Sequence, residues 1–188
     1  MTGCRTARRA AAPFRLTTQL NAFVLPLVCE RAGSEAVRAG VLGRERDLAT
    51  LRSEVSEMRA KMRDNLGSKA TAAGTAANAF EATAPFDLKQ DAGGIVDIEF
   101  MVQYAALAWS RQYPELLEFT DNIRILEGLE RVGLLPGEDA RLLQAIYKAY
   151  RSAAHRQALQ KQPGVVSGEQ FADERRTVMR IWRTLGLS

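Results

Sequence analysis

Between residues 30 and 66 the apolar positions fall at helical spacing. Leu48, Leu51, Val55, Met58 and Met62 recur at alternating steps of three and four, which lines them up along one stripe of a helix. The residues between them, Arg44, Glu45, Arg46, Arg52, Glu54, Glu57, Arg59, Lys61 and Arg63, are charged and are predicted to face water. Five apolar positions over two heptads suit a long antiparallel hairpin or a bundle helix turned toward a core and are too few for a free coiled coil. Residues 30–66 therefore read as one long amphipathic helical segment. From Gly67 to Pro85 the pattern gives way to Ala, Gly, Thr, Ser and Asn. Almost nothing there could repay the entropy of ordering, so residues 67–85 are expected to form a flexible linker.

The remainder, 86–188, is denser. Phe86-Asp87-Leu88-Lys89 alternates apolar and polar residues, as a short strand or extended arm would, and Gly93-Gly94 then breaks the chain. A helix is predicted from about Ile95 to Arg111, with Ile98, Met101, Val102, Ala105 and Trp109 on one face, ended by Tyr113-Pro114. Thr120 or Asp121 can cap the next helix, which carries Ile125, Leu126 and Leu129 inward and stops at Gly133. Pro136 suits the first turn of a third, running from Asp139 to about Lys161 through Leu142, Leu143, Ile146, Tyr150 and Ala154. Ser167 and Gln170 have capping-box spacing and would open a last helix through Phe171, Val178, Ile181, Trp182 and Leu185. With no βαβ alternation, the predicted class is all-α: a helical bundle with at most one short extended arm.

Charge changes this picture only at its edge. The net charge of +4 comes from 26 Lys and Arg against 22 Asp and Glu. Residues 1–29 hold Arg5, Arg8, Arg9 and Arg15 and no acid, which leaves 22 basic and 22 acidic groups in the other 159 residues. The excess belongs to a basic, unpacked tail with few aromatic residues, which argues against a nucleic-acid-binding protein. Cys4 and Cys29 cannot build a disulfide framework, so a reduced, cytoplasmic setting is expected. The longest apolar run, Ala22–Val28, has seven residues and includes Pro26, far short of a membrane span.

The search for chemistry is mostly one of exclusion. The single histidine, His155, rules out a multi-histidine metal site, and there is neither a phosphate-binding P-loop nor a dinucleotide fingerprint. Gly33-Ser34 followed by Asp47 imitates the start of a polymerase-β-type nucleotidyltransferase motif. The second carboxylate is missing, because Leu48-Ala49 follows, and the segment is helical in pattern. No catalytic residue and no metal ligand is assigned. Gly93 and Gly94 precede a helix N-terminus whose amides could receive an anion, although a plain turn is the favoured reading. Lys89 sits on the arm before them, Asp97 on the first helical turn, and Glu99 two residues on, pointing elsewhere. Tyr147, Arg151 and His155 form an i, i+4, i+8 line, expected to stitch helices together by hydrogen bonds.

The run from Phe86 to Phe100, FDLKQDAGGIVDIEF, continued by Val102-Gln103-Tyr104, resembles a segment of the bacterial bifunctional glutamine synthetase adenylyltransferase/adenylyl-removing enzymes, just after the catalytic domain of their C-terminal half. Leu51–Arg63 resembles the family's preceding helix, Asp121–Leu126 its "DN-RIL" helix, and Tyr147, Arg151, His155 and Leu159-Gln160, with Val165, Phe171 and Trp182 beyond, its terminal helices. The resemblance implies an enzyme that moves AMP from ATP to a tyrosine of glutamine synthetase with Mg²⁺, and that responds to glutamine and PII signalling proteins. It further implies that this chain is a fragment, the last helical region, inactive alone, since nothing in residues 1–50 replaces the family's Gly-Ser and paired-Asp strand. On that view Lys89, Gly93, Gly94, Asp97 and Glu99 contact the nucleotide or the catalytic domain. The alternative is a stand-alone helical adaptor that binds a protein through the Leu48–Met62 stripe.

Overall fold

The computed structural model describes residues 31–67 and 84–187, with side chains from residue 36 onward. The expected basic tail, and nearly all of the expected linker, lie outside the described residues.

Six α-helices and one pair of two-residue strands make up the described fold: α1 Arg31–Leu42, α2 Leu48–Leu66, β1 Phe86–Asp87, α3 Ile95–Trp109, α4 Asn122–Arg131, α5 Gly137–Leu159, β2 Val165–Val166 and α6 Ala172–Thr184. A 3-10 turn at Pro114–Leu117 links α3 to α4. The fold is all-α.

The organising element is α3. Eleven of its fifteen residues are buried, so it is covered on almost every side, as a central bundle helix must be. It packs against α2, α4, α5 and α6, while α5 also lies against α4 and α6. One hydrophobic core runs through all of these, from Leu42, Leu51 and Val55 to Tyr104, Leu126, Leu143, Tyr150 and Ile181. Three edge-to-face ring contacts reinforce it: Phe86 with Tyr150, Tyr150 with Phe171, and Tyr104 with Trp109.

Within the helical segment expected at residues 30–66, two helices form. The chain turns after Leu42, and Asp47 caps α2 by accepting from the Thr50 amide at 2.7 Å and the Thr50 hydroxyl at 2.5 Å. The predicted apolar stripe on α2 does face the core: Leu51 and Val55 are buried, and Met58 and Met62 pack against the core while half-buried. In α4, Asp121 is the cap, accepting from the Arg124 amide at 3.0 Å, and Ile125, Leu126 and Leu129 are inward.

Two expectations for the C-terminal half need correction, and a third gains a partner. Leu142 is 37% exposed, because the inward face of α5 is set by Asp139, Leu143, Ile146, Tyr150 and Ala153, one step round the wheel. Ser167 and Gln170 form a backbone turn, the Gln170 amide donating to the Ser167 carbonyl, and α6 begins only at Ala172. The arm at Phe86 has a strand partner in Val165–Val166, antiparallel, with Phe86 opposite Val166 and Asp87 opposite Val165. A two-residue strand is too short for its pattern to stand out from a turn.

Candidate functional site

The stretch Asp87–Gly94, between β1 and α3, is a compact turn built from its own polar groups. One oxygen of Asp87 accepts from the Lys89 and Gln90 amides at 2.8 and 2.9 Å, an Asx-type closure. Asp91 returns the contact by accepting from the Asp87 amide at 2.8 Å. The two glycines are required by the geometry. Gly93 has φ +81, and a Cβ there would sit 2.9 Å from the Arg175 carbonyl oxygen. A Cβ on Gly94 would lie 2.9 Å from the carbonyl oxygens of both Asp91 and Leu88.

The same hydrogen bonds occupy the amides that an anion at this helix terminus would need. The amides of Ile95 and Val96 donate to the carbonyls of Leu88 and Lys89, at 2.9 and 3.2 Å, and Gly94 donates to Asp91 at 3.0 Å. The Gly93 amide donates to the Asp97 carboxylate at 2.6 Å. These four donors are consumed by the turn itself, so the terminus is a closed cap, not a phosphate cradle.

Asp97 proves to be more than a dipole-favouring surface charge. It is buried, and its second oxygen accepts from Arg59 Nε at 2.5 Å. Arg59 was expected to face water; it is 0% exposed, reaching from α2 across to α3. Its Nη2 also donates to the Gln90 carbonyl at 2.7 Å and the Asp91 carbonyl at 3.4 Å, while Nη1 has no partner among the described residues. Burial pulls the Arg59 guanidinium below the usual arginine range, and the facing Asp97 carboxylate opposes that pull. On the opposite side the buried Arg175 stacks 4.1 Å above the Phe86 ring, and its Nε donates to the Ala92 carbonyl at 3.4 Å. One turn is thus clamped by two buried arginines.

Sequence reasoning missed Arg59, Asp91 and Arg175. A signal for Arg59 existed: Leu51, Val55 and Arg59 are spaced i, i+4, i+8, which puts the arginine on the core stripe that its charge seemed to exclude.

The remaining candidates separate in space and role. Lys89 is exposed and forms no ion pair among the described residues. Glu99 is half-buried and accepts from the Tyr147 hydroxyl at 3.1 Å; that oxygen in turn accepts from Asn122 Nδ2 at 2.9 Å. Tyr147 therefore ties α3, α4 and α5 together, and burial, with the Glu99 carboxylate nearby, pushes its phenol upward. Arg151 lies 5.9 Å from the Tyr147 ring centre, and His155 is exposed, so the stitching role expected of the line falls on Tyr147. Among the described residues no three His, Cys, Asp or Glu side chains gather as metal ligands. Asp97 is held by Arg59 and Gly93, and Glu99 by Tyr147, so these carboxylates do not fit a Mg²⁺ site. No described helix is long and apolar enough to cross a membrane.

The comparisons with known proteins give the class. Residues 56–164, more than half of it, match the family model described as GlnD PII-uridylyltransferase, and the chain belongs to that family. More particularly, it is similar to proteins named bifunctional glutamine synthetase adenylyltransferase/adenylyl-removing enzyme. It is 79% identical to that of Pseudomonas syringae over 154 residues, 82% of this chain and 16% of the relative. Identity to the Pseudomonas aeruginosa enzyme is 76% over 161 residues, 85% of this chain and 16% of the relative. The Hahella chejuensis enzyme is 47% identical over 152 residues, 81% of this chain and 15% of the relative. The chain thus spans about one-sixth of the length of these relatives, and the resemblance read from its motifs holds.

Proposed function

We propose that this chain is the C-terminal helical region of a glutamine synthetase adenylyltransferase, following the domain that transfers AMP from ATP to a tyrosine of glutamine synthetase. The observation that carries this is the 76–79% identity over more than four-fifths of the chain, to enzymes of that name. ATP and Mg²⁺ belong, on this reading, to the catalytic domain, since Asp97 and Glu99 are engaged by Arg59, Gly93 and Tyr147. The bundle's part is positional. Gly93, Gly94 and Asp97 fix the turn, and the turn presents Lys89 outward, where an ammonium can meet the catalytic domain or the anionic nucleotide. Glutamine synthetase is the protein partner, PII a further regulatory one, and the cytoplasm the setting.

The adaptor reading loses its docking surface, because the α2 stripe is covered by the core. Incubated with glutamine synthetase, Mg²⁺ and ATP labelled in its α-phosphate, the 188-residue chain should transfer no label. In the full-length Pseudomonas syringae relative, alanine in place of the residue aligned with Lys89 should lower adenylylation. Label transfer by the chain alone, or unchanged kinetics in the altered relative, contradicts the proposal.

A further inference from the structure

The charge of the body is balanced overall but unevenly placed. Between Asp139 and Glu169 there is no acidic residue, while Arg141, Lys148, Arg151, Arg156 and Lys161 all fall in that interval. All five side chains are exposed. Arg141 is paired with Glu130, but Lys148, Arg151, Arg156 and Lys161 form no ion pair among the described residues. The last four span about 20 Å of the C-terminal part of α5 at 1.5 Å per residue. In their midst Leu159 is 71% exposed, the most exposed large apolar side chain described.

A second observation comes from the backbone. Lys161 has φ +56, the only positive φ outside glycine among the described residues. Its amide donates to the Ala158 carbonyl at 3.0 Å and that of Gln162 to Gln157 at 2.9 Å, a Schellman-type closure of α5. Glycine is the relaxed choice at that position, and a lysine there holds strain of about 1–2 kcal/mol. The strained residue is a cation at the end of a cationic face. Two residues after Gln162 the chain reaches Gly164, whose carbonyl accepts from the Leu88 amide at 2.9 Å. The cationic end of α5 therefore adjoins the turn that carries Lys89.

From this we infer that the C-terminal end of α5 is a docking surface for an acidic protein surface, with Leu159 as its apolar anchor and Lys148, Arg151, Arg156 and Lys161 around it. Resting on the functional reading above, the occupant is glutamine synthetase. An enzyme that modifies a protein needs binding contacts away from the reacting residue, and a cationic rim steers and orients an acidic partner. An exposed leucine ringed by cations, with no exposed aromatic ring for base stacking among the described residues, favours a protein over a nucleic acid. Docking here would also bring the target to the end of the bundle where Lys89 stands.

The test is binding of the full 188-residue chain to purified glutamine synthetase by calorimetry across a salt series. A single-stranded oligonucleotide and phosphatidylglycerol vesicles serve as competing probes. The wild-type chain should bind glutamine synthetase, more weakly as salt rises. The double variant Arg156→Glu/Lys161→Glu, and separately Leu159→Ser, should weaken binding at least about tenfold. Lys61→Glu, a single charge reversal on the exposed side of α2, should not, and circular dichroism checks that each variant is folded. Equal binding by the wild type and the α5 variants overturns the docking surface and leaves the functional reading standing. Absence of binding by the wild-type chain, or tighter binding to the oligonucleotide or vesicles, overturns the assigned occupant; adenylylation by the full-length relative with its Lys89 equivalent altered then judges the functional reading separately.

Discussion

Two regions of this molecule are rich in arginine and lysine and use them in opposite ways. Around the Asp87–Gly94 turn the charges are buried and spent: Arg59 on Asp97 and two carbonyls, and Arg175 on the Phe86 face and the Ala92 carbonyl. Along the C-terminal part of α5 the charges are exposed and form no ion pair among the described residues. The motif that draws the eye in the sequence, Asp-x-Lys followed by Gly-Gly, turns out to be mostly architecture. The stretch 148–161, read from the sequence mainly as helix-stitching, is the surface proposed for docking. Identity of residue type therefore says little about role until burial is known.

The comparison can be broken most sharply at Arg59. Replacing it with Met would leave the Asp97 carboxylate buried without its counter-ion, and the expected loss of stability is about 3–5 kcal/mol, read as a fall in the urea midpoint. By contrast, Arg156→Glu on the α5 face should shift stability by no more than about 0.5 kcal/mol. Comparable losses from the two substitutions would erase the distinction.

Gly93→Ala should come next. The left-handed backbone and the approach of the Arg175 carbonyl together predict a loss of roughly 2 kcal/mol, measurable by the same titration. The smallest effect is expected at Tyr150. Its ring is fully buried, yet its hydroxyl has no partner among the described residues, so Tyr150→Phe should stay within about 0.5 kcal/mol of wild type at neutral pH. Burial raises the folded phenol's pKa. The sign follows from that direction: above the unfolded tyrosine value of about 10 the unfolded chain loses a proton that the folded chain keeps, so stability drops as pH rises. In Tyr150→Phe that alkaline decline should be shallower.

Much of the fold was legible because α3 to α6 are long, strongly patterned and well punctuated. Asp121 caps where a cap was expected, Gly133 takes φ +72 just past α4, and the stripe Leu51, Val55, Met58, Met62 faces inward. What escaped was decided by tertiary context. The break before Asp47 is a local hydrogen bond competing with a continuous helical pattern. The strand Val165–Val166 exists only because Phe86–Asp87 lies opposite. For the candidate site, the glycines and Asp97 could be singled out, but their role could not, because it depends on a guanidinium 38 positions earlier in the chain.

The central claim, that Asp97 serves the fold by pairing with Arg59 across α2 and α3, is tested most directly by a double-mutant cycle. Urea titrations of wild type, Arg59→Met, Asp97→Leu and the double variant give the coupling between the two side chains. The predicted result is a coupling of about 2 kcal/mol, with the double variant far less destabilised than the sum of the singles. Additivity to within about 0.5 kcal/mol would contradict it.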